Sequence, residues 1–83
     1  MSKRFVVDVF AYGPNVIMDT VNKTWREGDV SVPRIIFESF DLHHCLEGAR
    51  LFNELDDAVS SGEKPKSELD YNIELAKSRC SIP

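Results

Sequence analysis

Residues 42–62 read LHHCLEGARLFNELDDAVSSG, and the rest of the chain is read outward from them. At 3.6 residues per turn, Leu42, Cys45, Leu46, Ala49, Phe52, Leu55 and Val59 fall on one side. Glu47, Arg50, Glu54 and Asp57 fall on the other. Asp41 stands where an N-cap belongs, and Gly62 where a helix hands over to a left-handed turn. The stretch therefore predicts a helix over about 42–61. Gly48 lies on its apolar side, where glycine costs about 1 kcal/mol relative to alanine. Close approach of another backbone is the expected compensation.

On the C-terminal side, Glu63-Lys64-Pro65-Lys66 reads as a polar linker. Ser67 with Asp70 three residues on resembles a capping box, with Asp in place of the usual Glu or Gln. Leu69, Ile73, Ala76 and Cys80 then share one narrow face, which predicts a closing helix over about 68–79. The final residues, 81–83, are expected to fray.

On the N-terminal side, Arg4-Phe5-Val6-Val7-Asp8-Val9-Phe10-Ala11-Tyr12 is β-branched and aromatic and stops at Gly13-Pro14. That is strand chemistry, with an N-terminal helix as the alternative. Both faces are mostly apolar, so the strand is expected inside a sheet or covered on both sides. Pro14 suits the first turn of a helix, and Ile17, Met18, Val21 and Trp25 form a helical stripe over 15–26 that Gly28 would end. Residues 29–40, DVSVPRIIFESF, read either as a strand or as a short helix begun at Ser31 and Pro33. The strand reading is taken, over 34–38, with Pro33 at its entry.

The predicted order is thus β-α-β-α-α. It describes a small single domain over 1–83 of α/β (or α+β) class, with a two- or three-stranded sheet packed by helices. A right-handed crossover through the first helix would set the two strands parallel. One partial resemblance bears on this. Val32-Pro33-Arg34-Ile35-Ile36-Phe37, followed by a helix, is similar to the C-terminal half of glutaredoxin-type thioredoxin folds. There a cis-proline precedes a strand, a hairpin and a last helix. The position that the family gives to its redox Cys-x-x-Cys reads Gly13-Pro14-Asn15-Val16, and the second βα unit is missing. The resemblance therefore implies a hairpin shape and no thiol chemistry at that position.

Composition narrows the function classes. An apolar fraction of 42% with five Phe and one Trp supports a real core. No apolar run reaches the ~18 residues of a membrane span. Two widely spaced cysteines make no secreted disulfide framework, which implies a cytoplasmic protein with reduced thiols. The net charge of −4 is concentrated in residues 28–62, which carry seven acids against two bases. That field disfavours nucleic acid and suits a protein partner. Lys3, Arg4, Lys23 and Arg26 are the bases that a nucleic-acid reading would have to use.

His43-His44-Cys45 holds three competent metal ligands, but neighbours on a helix point about 100° apart and cannot converge on one ion. Cys45 with His43 or His44 also offers a thiol and a base, which keeps a minimal thiol-dependent or thioredoxin-like domain as the alternative. Glu54, Asp56 and Asp57 look alike and exposed, unlike the split environments of an acid–base pair. With no phosphate loop and no cofactor signature, the chain reads as an interaction module of regulator or inhibitor type rather than an enzyme. Viral host-modifying proteins share this size and acidity, an association by class only. In the last helix Tyr71 and Leu75 stand i, i+4 away from the core stripe. With the acidic face at Glu47, Glu54 and Asp57 they form the expected contact for a protein partner or a homodimer.

Overall fold

The computed structural model describes residues 3–26 and 30–79. Three strands come first, β1 (Phe5–Asp8), β2 (Asn15–Arg26) and β3 (Val30–Ser39), followed by helices α1 (Leu42–Ser60) and α2 (Lys66–Ser78). The sheet order is β1-β2-β3, and both pairings are antiparallel. The architecture is α+β, with both helices on one face of the sheet. α1 contacts all three strands, and α2 lies against β3 and α1.

The expected helix over 15–26 is a strand, and the parallel crossover falls with it. Ile17, Met18, Val21 and Trp25 do match a helical stripe. Yet Val16, Ile17, Met18, Thr20, Val21, Thr24 and Trp25 are also β-branched, aromatic or otherwise strand-compatible. β2 is the central strand, where pairing on both edges outweighs local preference. Asn15, Val16 and Ile17 are consecutively buried, as befits a strand covered on both faces at that end. The helix stop expected at Gly28 lies outside the described residues.

β1 is shorter than the 4–12 expected, and it is an edge strand. Phe5 is buried and Val7 packs against the core, whereas Val9, Phe10 and Tyr12 lie beyond the strand and are exposed. The outer edge at Phe5 is covered by a side chain of α1. Asn53 Oδ1 accepts from the Phe5 N–H and Asn53 Nδ2 donates to the Phe5 carbonyl, both at 2.9 Å. The amide thus stands in for a neighbouring strand.

β3 is longer than the 34–38 expected and carries Pro33 inside it rather than at its entry. The ladder tolerates this because it is irregular there. Asp19 pairs with Arg34 and Lys23 with Pro33, so three residues of β2 have no counterpart on β3. No peptide bond among the described residues is cis, so the likeness to a cis-proline hairpin ends here. A second irregularity, between Ile17 and Met18, leaves Ile36 without a register partner. The extra residue lets Ile36 and Phe37 both pack on the helix side.

α1 buries Cys45, Ala49 and Phe52, a narrow i, i+4, i+7 stripe. Leu42 and Leu46, expected on the core side, are exposed. The Asp41 carboxylate accepts from the His43 N–H at 3.0 Å, the predicted N-cap. At the other end Gly62 takes φ +83, with Gly62 N–H bonding the Val59 carbonyl and Glu63 N–H bonding that of Ala58. That is the Schellman pattern. α2 starts two residues early, at Lys66 after an extended Pro65, so Ser67 is helical and makes no capping box. Leu69 and Ile73 are buried as expected, Ala76 packs against the core, and Cys80 lies outside the described residues.

Gly48 is explained by a side chain rather than a backbone. A Cβ there would stand 2.9 Å from Ile17 Cδ1, an atom of the buried centre of β2. Gly48→Ala sets a helix gain of about 1 kcal/mol against displacing that methyl in a packed core. The two effects should nearly cancel, leaving the melting temperature almost unchanged. In an Ile17→Val background the obstacle is gone, and the same substitution should stabilise by about 1 kcal/mol. A thermal double-mutant cycle measures the difference, and additive effects would refute the contact.

Candidate functional site

The sequence-marked chemistry does not converge. Cys45 is fully buried in the core cluster, while His43 and His44 are exposed on the helix surface. His44 Nε2 lies 3.7 Å from the Asp41 carboxylate. Among the described residues no three His, Cys, Asp or Glu side chains gather to hold a metal. Cys45, the thiol that the thiol-dependent alternative would use, is 0% exposed and enclosed in the core cluster.

The acids of α1 fall into three environments rather than one. Glu47 and Glu54 flank Arg50, which donates to both, the bond to Glu54 measuring 2.7 Å. The hydrogen bond from Arg50 holds the Glu47 carboxyl below its ordinary range. Its contribution is therefore present above that range and lost as the pH falls through the lowered value. Both groups are exposed, so salt screens it. Asp57 is exposed on the same outer face. Asp56 is partly buried and accepts from Arg4 at 3.3 Å.

Arg4 is not available to a phosphate. Its Nε and terminal amino group each donate at 2.7 Å to the two oxygens of Asp19. The Asp19 side chain is 0% exposed and that of Arg4 10%. This buried pair joins the start of β1, the middle of β2 and, through Asp56, the helix layer. No local signal marks it, because in the helix expected over 15–26 Asp19 falls off the apolar stripe, on the side that would face solvent.

The remaining candidate is a groove between the two helices. α1 and α2 diverge enough to leave two adjoining cavities, of about 240 and about 450 Å³. They share Leu51, Leu55 and Asn72. Phe52, Leu75 and Ala76 complete the apolar part of the first, and Gly48 and Arg79 stand at that end. Glu54, Lys64 and Glu68 line the other end. Leu51 is 52% exposed. Of the pair expected from sequence, Leu75 lines this groove and Tyr71, 66% exposed, stands one turn earlier on α2. Sequence reasoning missed Leu51, which falls on the charged flank of α1 and is apolar nonetheless. Asn72 carries no sequence signal either, as a polar residue off the core stripe of α2.

No helix among the described residues is long and apolar enough to cross a membrane. No protein-family model, curated protein or solved structure matches the chain.

Proposed function

We propose that the chain is a non-enzymatic protein-binding module of regulator or inhibitor type, working in the cytoplasm. It meets its partner through Tyr71 and Leu75 of α2 and the outer face of α1 at Glu47, Glu54 and Asp57. The observation that carries this reading is the apolar surface left open on the helix layer. Leu51 and Tyr71 are both more than half exposed there, beside the half-buried Leu75. Residues 41–79 hold nine acids against five bases, which is the whole net charge of the chain. A second copy docking by the same layer would meet its own sign of charge, so a different protein is the better occupant.

The double variant Tyr71→Ser, Leu75→Ser tests this. Wild type and variant are immobilised in parallel and exposed to a lysate of the native host. The expected outcome is a protein retained by the wild type and depleted at least about tenfold on the variant, with the helical signal intact. Equal retention on both baits would sink the proposal. Sedimentation over a range of concentrations checks self-association, and a dimer abolished by the same two changes would replace the foreign partner with a second copy.

A further inference from the structure

We infer that the groove between α1 and α2 receives one amphipathic helix of a partner protein, antiparallel to α1, with a hydrogen-bond donor seated at Asn72. The inference rests on the protein-binding reading above and adds the shape, direction and central chemistry of the ligand.

Length comes first. The groove follows α1 from Gly48 to Ala58, about 15 Å at 1.5 Å per residue, which is close to three helical turns. An apolar floor of Leu51, Leu55 and Leu75 suits anchors at i, i+3 and i+7 of an incoming helix.

The centre of the groove is polar at one point. Asn72 lines both cavities. Its Nδ2 donates to the Glu68 carbonyl at 2.7 Å. A carbonyl can only accept, so this bond fixes which way round the amide stands. Asn72 Oδ1 is left as an acceptor with no hydrogen bond among the described residues. A purely apolar ridge would cover that oxygen and leave it unsatisfied, whereas a lysine or another donor at the middle of the ridge would bond it.

The ends of the groove differ in charge. Arg79 makes no ion pair among the described residues. Glu54 and Glu68, at the opposite end, share their charge with Arg50 and Lys64. Arg50 is itself shared between Glu54 and Glu47, so the groove is positive at its Arg79 end and carries a net negative charge at the other. A helix carries partial negative charge at its C-terminus and partial positive charge at its N-terminus. It fits with its C-terminus at Arg79 and its N-terminus at the two glutamates. That direction is antiparallel to α1 and parallel to α2, so the dipoles of the two walls offset each other and the charged ends set it.

The test uses the full chain, isotopically labelled, and two synthetic helical peptides of about 14 residues. Both carry leucine at i, i+3 and i+7. One has lysine at i+4 and the other norleucine, of similar stem but without a donor. The lysine peptide should bind at least about threefold tighter, shifting the amides of Leu51, Leu55, Asn72 and Leu75. Asn72→Ala should erase the difference and Asn72→Asp should widen it, with the amide spectrum reporting that each variant is folded. A nitroxide on the N-terminal end should broaden Glu68, and one on the C-terminal end Arg79. Equal affinities in wild type, the reverse broadening, shifts elsewhere, or no binding at about 1 mM would each overturn the inference. Should the peptides fail while the Tyr71 and Leu75 changes still release a captured partner, the helix-in-groove assignment is lost and the binding module stands. Should no partner be captured either, both are lost.

Discussion

The Phe52→Ala variant is expected to lose its cooperative thermal transition at ordinary temperature, or to melt far below the wild type. Phe52 is buried in α1 with its ring centroid 5.2 Å from that of Phe5 in β1. It joins a core that also holds Ile17, Ile36, Cys45, Ala49, Leu69 and Ile73. Truncating a core phenylalanine costs about 3–5 kcal/mol, through lost burial and the cavity left behind. A domain of this length holds only about 4–12 kcal/mol in total, at ~0.05–0.15 per residue. The loss is therefore comparable with the lower part of that range. Phe52→Leu keeps most of the volume and should retain a cooperative transition at lower temperature. Calorimetry on the three proteins decides the matter. A Phe52→Ala variant melting within a few degrees of wild type would mean that the contact between α1 and β1 is not where the fold is held.

The same helix shows what the sequence could and could not reveal. The spacing of Cys45, Ala49 and Phe52, the cap at Asp41 and the glycine at position 62 are local signals, and α1 follows them within one residue. The closing helix was legible for the same reason, from Leu69 and Ile73. β2 was not. Its apolar residues fit a period of 3.6, with Asp19 and Lys23 interrupting the alternation through Ile17, Val21 and Trp25, and only the partners on either side impose the strand. Those partners, β1 and β3, lie at separations that no local pattern encodes. Pro33 argued against a long β3, and the irregular pairing opposite Thr20 and Val21 is what accommodates it.

The candidate site divides along the same line. Tyr71 and Leu75 were legible as apolar residues off the core stripe, because that is a statement about one helix. The groove was not, since it depends on how far α1 and α2 diverge. Leu51 and Asn72 acquire their roles only from the opposite wall. His43 and His44 drew attention by residue type alone, and the structure leaves them on the surface away from Cys45. Arg4, one of the bases that a nucleic-acid reading would have to use, is instead held in an ion pair that no local pattern announces. Its partner Asp19 is 15 residues away in sequence and enclosed under α1.

That pair carries the second large expected effect. Replacing Arg4 by Met should destabilise by about 3–5 kcal/mol, because it removes the guanidinium that donates twice to the fully buried Asp19 carboxylate. Asp19 also accepts the Val21 N–H at 3.0 Å, a backbone group in the stretch of β2 that has no partner on β3. Removing the carboxylate alone, as Asp19→Leu, strands that N–H and leaves the largely buried Arg4 guanidinium with its 3.3 Å bond to Asp56, and should be comparably costly. The double variant Arg4→Met, Asp19→Leu removes both charges and should recover most of the loss. A buried pair of this kind often contributes little net stability over apolar replacements. Arg4→Lys cannot reproduce the two parallel hydrogen bonds and should fall between wild type and Arg4→Met. The hydrogen bond that Arg4 donates to Asp19 is the largest influence holding Arg4 above the ordinary arginine range. Its contribution is present below that range and lost only as the pH rises through the raised value, far above neutrality. Loss of the pair should therefore show as a constant deficit around neutral pH. It should also resist added salt, unlike the exposed Glu47–Arg50–Glu54 ladder. Denaturant melts of the four proteins at low and high salt give the cycle. Additive single effects, with no recovery in the double variant, would show that Arg4 and Asp19 do not act as a pair.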